Sequence, residues 1–302
     1  MAGDMNMRQD LWMLLPEIVV VLTALAALIA GMLRRQALAL PATLVGLSIA
    51  TLLAVQRISE DMTVFMDTFR IDDLTGWAKL ILLPATMLSA LLVRVEVRGT
   101  DREATVYSLL VFGTFGALAL AGAGDIMFLV LGVLVTSLAS FALVAYPGST
   151  AATEAAMKYF VFGSVSGAVM IFGLTYWYGA TGSTLLGEAG GFAGKWPIAT
   201  AALVAIYVGL GYKAGLVPFH FWAPDAYDGG PLAVAAWLSI VPKVGAVFAI
   251  ARVVQDIPVD TVNWQLGLAT IAVISMTYGN LTALAQTNVV RLLAYSSIAQ
   301  SG

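Results

Sequence analysis

The 302-residue sequence has no cysteine and a single histidine, His220. These absences exclude a thiolate zinc site, a cysteine-held iron–sulfur cluster and a c-type haem within these residues. Charge is scarce as well: Asp, Glu, Lys and Arg make up 11% of the chain, against about a quarter in soluble domains. With a net charge of −3 and no RNA or DNA motif, nucleic acid is set aside as a partner. No nucleotide fingerprint is present, because the glycines of "GEAGGFAGKW" follow no strand and their GK is followed by Trp196. A chain without fuel-handling chemistry has to be driven by a gradient or by a partner.

What is abundant is apolar length. Hydrophobic residues make up 60% of the sequence and mean hydropathy is +0.90. Runs of about 20 mostly apolar residues, each long enough to cross a hydrocarbon layer as a helix, recur throughout. They cover 12–33, 37–55, 74–93, 104–123, 125–146, 154–178, 198–221, 231–254 and 266–286, and "VVRLLAYSSIAQSG" enters a tenth. The expected fold class is an all-α polytopic protein embedded in the lipid bilayer. The first run is too long for a signal-peptide core, contains Pro16 and Glu17, and leads straight into further spans.

Arg34 and Arg35 follow the first span, and Arg94, Arg98 and Arg102 follow the third; their excess places both loops in the cytoplasm, although Arg57 and Arg70 flank the intervening loop. That loop contains the period-two stretch "VFMDTFRI", which reads either as a short strand pair or as an ordinary solvated loop. The glycine-rich 180–195 segment reads as a flexible connection, and Tyr176, Trp177 and Tyr178 as interfacial anchors.

Ionisable groups inside spans mark function or pairing, since a lysine at mid-membrane costs about 2.5–3.5 kcal/mol on insertion scales. Lys79 lies within two turns of a span start and is expected to snorkel to the headgroups. Glu17, behind Pro16, reads equally as a helix-terminus or a functional group. Lys243 is deeper, next to Pro242, which withholds a hydrogen bond from the Leu238 carbonyl; Lys213 precedes Pro218 and is surrounded by Gly209, Gly211 and Gly215. Interrupted backbone at membrane depth survives only against protein or water, so both lysines are expected to face a hydrated interior. Desolvation and neighbouring like charge favour the neutral form of an amine, which makes a row of such lysines a candidate proton path. Lys158 joins the row with Glu154 at the i, i+4 spacing that permits pairing; the alternative for these two is a surface ion pair. His220 is a candidate relay between Lys213 and the aqueous end, or a packed, hydrogen-bonded side chain.

The motifs "EAAMKYFVFGS", "GYKAGLVPFHFWAPDAYDGGP", "VPKVGAVFAIAR" and "NVVRLLAYSSIAQSG" resemble, in that order, those of antiporter-like subunits of respiratory complex I. "LLPEIVV" and "FRIDDLTGWAKLILL" are most similar to its subunit N, with the Mrp-type antiporter subunits as relatives. The resemblance implies inverted five-helix repeats, each with a discontinuous helix. It divides the chain into N-terminal helices 1–103, a first repeat 104–258 broken in its seventh span, and the truncated start of a second repeat, 259–302. It also implies that Lys158, Lys213 and Lys243 are buried proton-pathway lysines. It places the chain in a bacterial inner membrane among other membrane-arm subunits, with NADH, FMN, iron–sulfur clusters and quinone handled by partner subunits and no cofactor in this chain.

Two residues depart from the family pattern. Leu134 stands where a glutamate usually pairs with a pathway lysine, and Gln300 where a histidine is common. The sequence therefore supports a proton-translocating subunit of NADH:quinone oxidoreductase, with a cation/proton antiporter subunit or a structural paralogue of impaired pumping as alternatives. A membrane hydrolase built on His220 lacks the Ser, Cys or paired-carboxylate partners it needs.

Overall fold

A computed structural model describes residues 7–257 and 263–302. Among them, nine helices are long and apolar enough to span a membrane. A short α1 (Met7–Met13) leads into α2 (Leu15–Met32), α3 (Ala39–Val55) and α4 (Asp73–Val97). These are followed by α5 (Glu103–Ala121), α6 (Ile126–Ala145), α7 (Thr150–Thr181) and α8 (Trp196–Ala214). The short α9 (Trp222–Gly229) precedes α10 (Leu232–Gln255), α11 (Trp264–Leu284) and α12 (Val289–Ser301). The chain is an integral, multi-pass membrane protein. Side-chain caps set several helix starts: Asp72 accepts from the Thr75 amide at 3.0 Å, Asp125 from Phe128 at 2.7 Å and Ser149 from Ala152 at 3.2 Å.

The centre of the molecule is α5, almost wholly buried and packed against α2, α4, α6 and α10. The N-terminal helices therefore share one hydrophobic core with α5 and α10. A boundary at 103/104 coincides with the start of α5, whereas the one at 258/259 lies outside the described residues.

Between α3 and α4 the period-two stretch forms an antiparallel hairpin, β1 (Met62–Val64) with β2 (Phe69–Ile71), in register Thr63 to Arg70. Two arginine–aspartate pairs fasten this end to α10. Arg252 is fully buried, grips both carboxylate oxygens of Asp72, and donates to the Ala121 carbonyl at 2.9 Å and the Thr75 hydroxyl at 2.7 Å. Beside it, Arg70 pairs with Asp256 at 2.5 Å. Burial alone would raise the Asp72 carboxyl, but hydrogen bonds from Arg252 and the Thr75 amide outweigh it and hold the group below the usual carboxylate range.

Three expectations are corrected here. The 180–195 segment is not a slack connection. It contains a 3-10 helix at Leu186–Phe192 whose Leu186, Ala189 and Phe192 enter the core, and the Leu186 amide donates to Gly124 at 2.9 Å. Trp177 is fully buried, edge-on to Phe192 at 5.0 Å, so only Tyr176 and Tyr178 keep the exposure of interfacial anchors. The seventh span stops at Ala214 instead of running to 221, because Gly215 turns left-handed at φ 75°.

Candidate functional site

The break between α8 and α9 is the polar centre of the fold. At the end of α8 the Leu216 amide returns to the Gly211 carbonyl at 2.8 Å, closing the helix as a glycine-terminated cap. The neighbouring Tyr212 carbonyl accepts from the Gly215 amide at 3.0 Å and also from the Trp222 indole at 2.7 Å, so a residue beyond the break is tied to the helix end. Trp222 stacks on Tyr159 at 4.3 Å, and the Tyr212 hydroxyl donates to the Tyr159 carbonyl at 2.7 Å. These three aromatics join α7 to both sides of the break.

Lys213, in the last turn of α8, is completely buried. Its Nζ donates to the Ser137 hydroxyl on α6 at 3.1 Å and the Tyr159 hydroxyl on α7 at 3.4 Å, and lies 5.7 Å from the Tyr159 ring. Lys243 follows Pro242 inside α10 and is also buried; its Nζ donates to the Ser297 hydroxyl on α12 at 2.5 Å and sits 5.8 Å from the Tyr227 ring. A Cβ placed on Gly215 would lie 3.2 Å from this Nζ, so Lys243 fits against the break itself. Ser297 also lines a largely apolar cleft of about 430 Å³, together with Ser239, Ser296 and Gln300. His220 is buried within the break, its ring 4.8 Å from that of Tyr278, and its Nδ1 has no hydrogen-bond partner among the described residues.

Lys158 does not share this setting. Its side chain is 44% exposed and pairs with Glu154 at 2.8 Å and Asp225 at 3.1 Å. The spacing argument for the Glu154–Lys158 pair holds, but the expectation of a buried lysine does not: α7 turns this position to the surface. Asp225 also pairs with Arg291 at 2.9 Å, and Arg291 reaches Asp228 at 3.5 Å, so a charged cluster joins α7, α9 and α12. Asp225 and Arg291 lie inside the quoted motifs, but they are remote from each other in sequence and no local rule pairs them.

A second buried lysine setting was not legible. Lys79 does not snorkel; it is 2% exposed and pairs with Glu17 of α2 at 2.7 Å. Leu134 is half exposed on α6, and the oxygen that meets Lys213 comes from Ser137, one turn further along the same helix.

Residues 123–302 match the family described as NADH:quinone oxidoreductase/Mrp antiporter, TM. The chain belongs to this family. Within it, the chain is 38% identical over 310 residues to F(420)H(2) dehydrogenase subunit N of Methanosarcina mazei, covering 97% of this chain and 63% of that one. It is 39% identical over 308 residues to NADH-quinone oxidoreductase subunit N 1 of Streptomyces griseus, covering 99% and 64%. The fold superposes on a chain of respiratory complex I from Thermus thermophilus with a TM-score of 0.81 at 30% identity, over 95% of this chain and 62% of that chain. A chain of the Mrp complex from Dietzia gives 0.83 at 20% identity, a likeness of fold alone. The antiporter-like architecture is thus shared with both classes of family member, and the chain spans less than two thirds of the length of these relatives.

Proposed function

We propose that the chain serves as a proton-translocating subunit in the membrane arm of an NADH:quinone oxidoreductase of the complex I type, in a bacterial inner membrane. The observation that carries this reading is the pair of buried lysines at the α8–α9 break, each hydrogen-bonded to hydroxyls and, among the described residues, to no carboxylate. A hydroxyl serves as donor or acceptor, so it accommodates an amine in either charge state. Protons pass along Lys213, His220 and Lys243, and the exposed Glu154–Lys158–Asp225 cluster exchanges them at the rim. NADH, FMN, iron–sulfur clusters and quinone belong to partner subunits, whose redox chemistry alters hydration at the break. Residues 104–258 form the first five-helix repeat and 259–302 begin the second.

Leu134, where the family pattern has a glutamate, favours one further reading, a structural paralogue with impaired pumping. In membrane vesicles carrying the intact complex, Lys213→Met is expected to lower protons moved per NADH oxidised while assembly on a native gel stays unchanged. Unaltered stoichiometry would favour the structural paralogue. Sodium- or potassium-driven proton exchange without NADH, lost in the same variant, would instead make this an antiporter subunit.

A further inference from the structure

Four arginines take no part in the site described above, and the fold gathers them. Arg34 and Arg35 follow the end of α2, Arg94 lies in the last turn of α4, and Arg98 caps it. All four line one cleft of about 710 Å³. Among the described residues none of the four forms a salt bridge or a side-chain hydrogen bond. The one carboxylate lining the cleft, Glu103, is buried and accepts from the Gly99 amide at 2.8 Å.

The cleft is built rather than accidental. Arg34 has left-handed backbone at φ 56°, and the amides of Arg34 and Arg35 return to the carbonyls of Gly31 at 2.9 Å and Ala30 at 2.8 Å, which fixes the turn that presents both side chains. Gln36 ties this turn to the next basic loop: its Oε1 accepts from the Ala104 amide at 2.9 Å and its Nε2 donates to the Asp101 carbonyl at 3.2 Å. Below the arginines the walls turn apolar, with Leu40, Leu44 and Val45 on α3 facing Leu91 on α4. A guanidinium binds phosphate through paired N–H groups, and basic pockets between membrane helices suit phospholipid headgroups.

We propose that this cleft binds an anionic phospholipid, with its phosphates among Arg34, Arg35, Arg94 and Arg98 and its acyl chains along the α3–α4 groove. Four guanidiniums match a headgroup bearing two phosphates. Apolar walls within two spans distinguish this occupant from free phosphate. The arginine excess places the site at the cytoplasmic leaflet.

Native mass spectrometry of the intact assembly, extracted in mild detergent and exchanged with cardiolipin, phosphatidylglycerol or phosphatidylcholine, tests the assignment. One tightly held cardiolipin is expected, retained over phosphatidylcholine and not displaced by millimolar inorganic phosphate. The double variant Arg34→Gln/Arg98→Gln should weaken retention by roughly thirtyfold. Val45→Trp, which narrows the apolar wall without touching charge, should weaken it as well and serves if the double variant fails to assemble. Arg102→Gln is the control: Arg102 lies at the same end but donates to the Tyr146 carbonyl and lines a different cleft. Equal retention of phosphatidylcholine, displacement by phosphate, or an equal loss in Arg102→Gln would each overturn the proposal.

Discussion

Lys79 and Lys213 are both buried lysines in membrane helices, but the protein treats them in opposite ways. Lys79 meets a carboxylate, Glu17, at 2.7 Å; among the described residues Lys213 donates only to the hydroxyls of Ser137 and Tyr159. A carboxylate holds an ammonium in its charged form, since neutralising either partner strands the other in a low-dielectric setting. A hydroxyl exerts no such hold. The first arrangement is an ion pair between α2 and α4, and the second sets the amine against neutral partners. Burial alone therefore does not set these two lysines apart; the chemistry of the partner does.

The largest expected effect comes from breaking the fixed pair. Lys79→Met strands Glu17 and should cost about 3–5 kcal/mol, read as a drop in melting temperature and folded yield in detergent. The double variant Glu17→Leu/Lys79→Met should recover most of it. If the double variant melts as low as the single, Lys79 is held by packing and the contrast with Lys213 fails. A smaller, more informative change is Ser137→Asp, which gives Lys213 the kind of partner Lys79 has. Its melting temperature should hold or rise while protons moved per NADH fall. Pumping at the original stoichiometry would show that the partner's charge does not decide the lysine's role.

The narrowest test, confined to a change with pH, concerns the Arg252–Asp72 clasp. The Asp72 carboxyl is held below its unfolded range, so the clasp's contribution is present above about pH 4 and is lost as pH falls through the folded value. The difference in melting temperature between the native chain and Asp72→Asn should stay constant from about pH 7 to pH 5 and shrink only below about pH 4. A difference that vanishes by about pH 6 would mean that the clasp depends on some other group.

Much of this was legible in the sequence where a local rule applied. Apolar length located the spans, period-two alternation the hairpin, and Gly215 with Pro218 the interruption after Lys213. Helical spacing paired Glu154 with Lys158. What escaped depended on contacts between distant segments. Lys79 and Glu17 each sit near a span end, where snorkelling is the ordinary outcome, and only the packing of α2, α3 and α4 brings them together. Arg252 and Asp72 are likewise remote in sequence. The 180–195 segment did carry a signal: Leu186, Ala189 and Phe192 recur every third residue, the period of a 3-10 helix, but the glycines between them drew the eye to flexibility. Lys158 shows the reverse error, since motif likeness suggested depth that α7's orientation does not provide.

Gly215 links the interruption in one helix to the side chain of another. Its left-handed backbone disfavours any L side chain, and even a methyl group there would press on the Lys243 amine at 3.2 Å. Position 215 is thus constrained twice over: a larger residue would strain its own backbone whatever stands at 243, and would also oblige the Lys243 amine to move by a few tenths of an ångström.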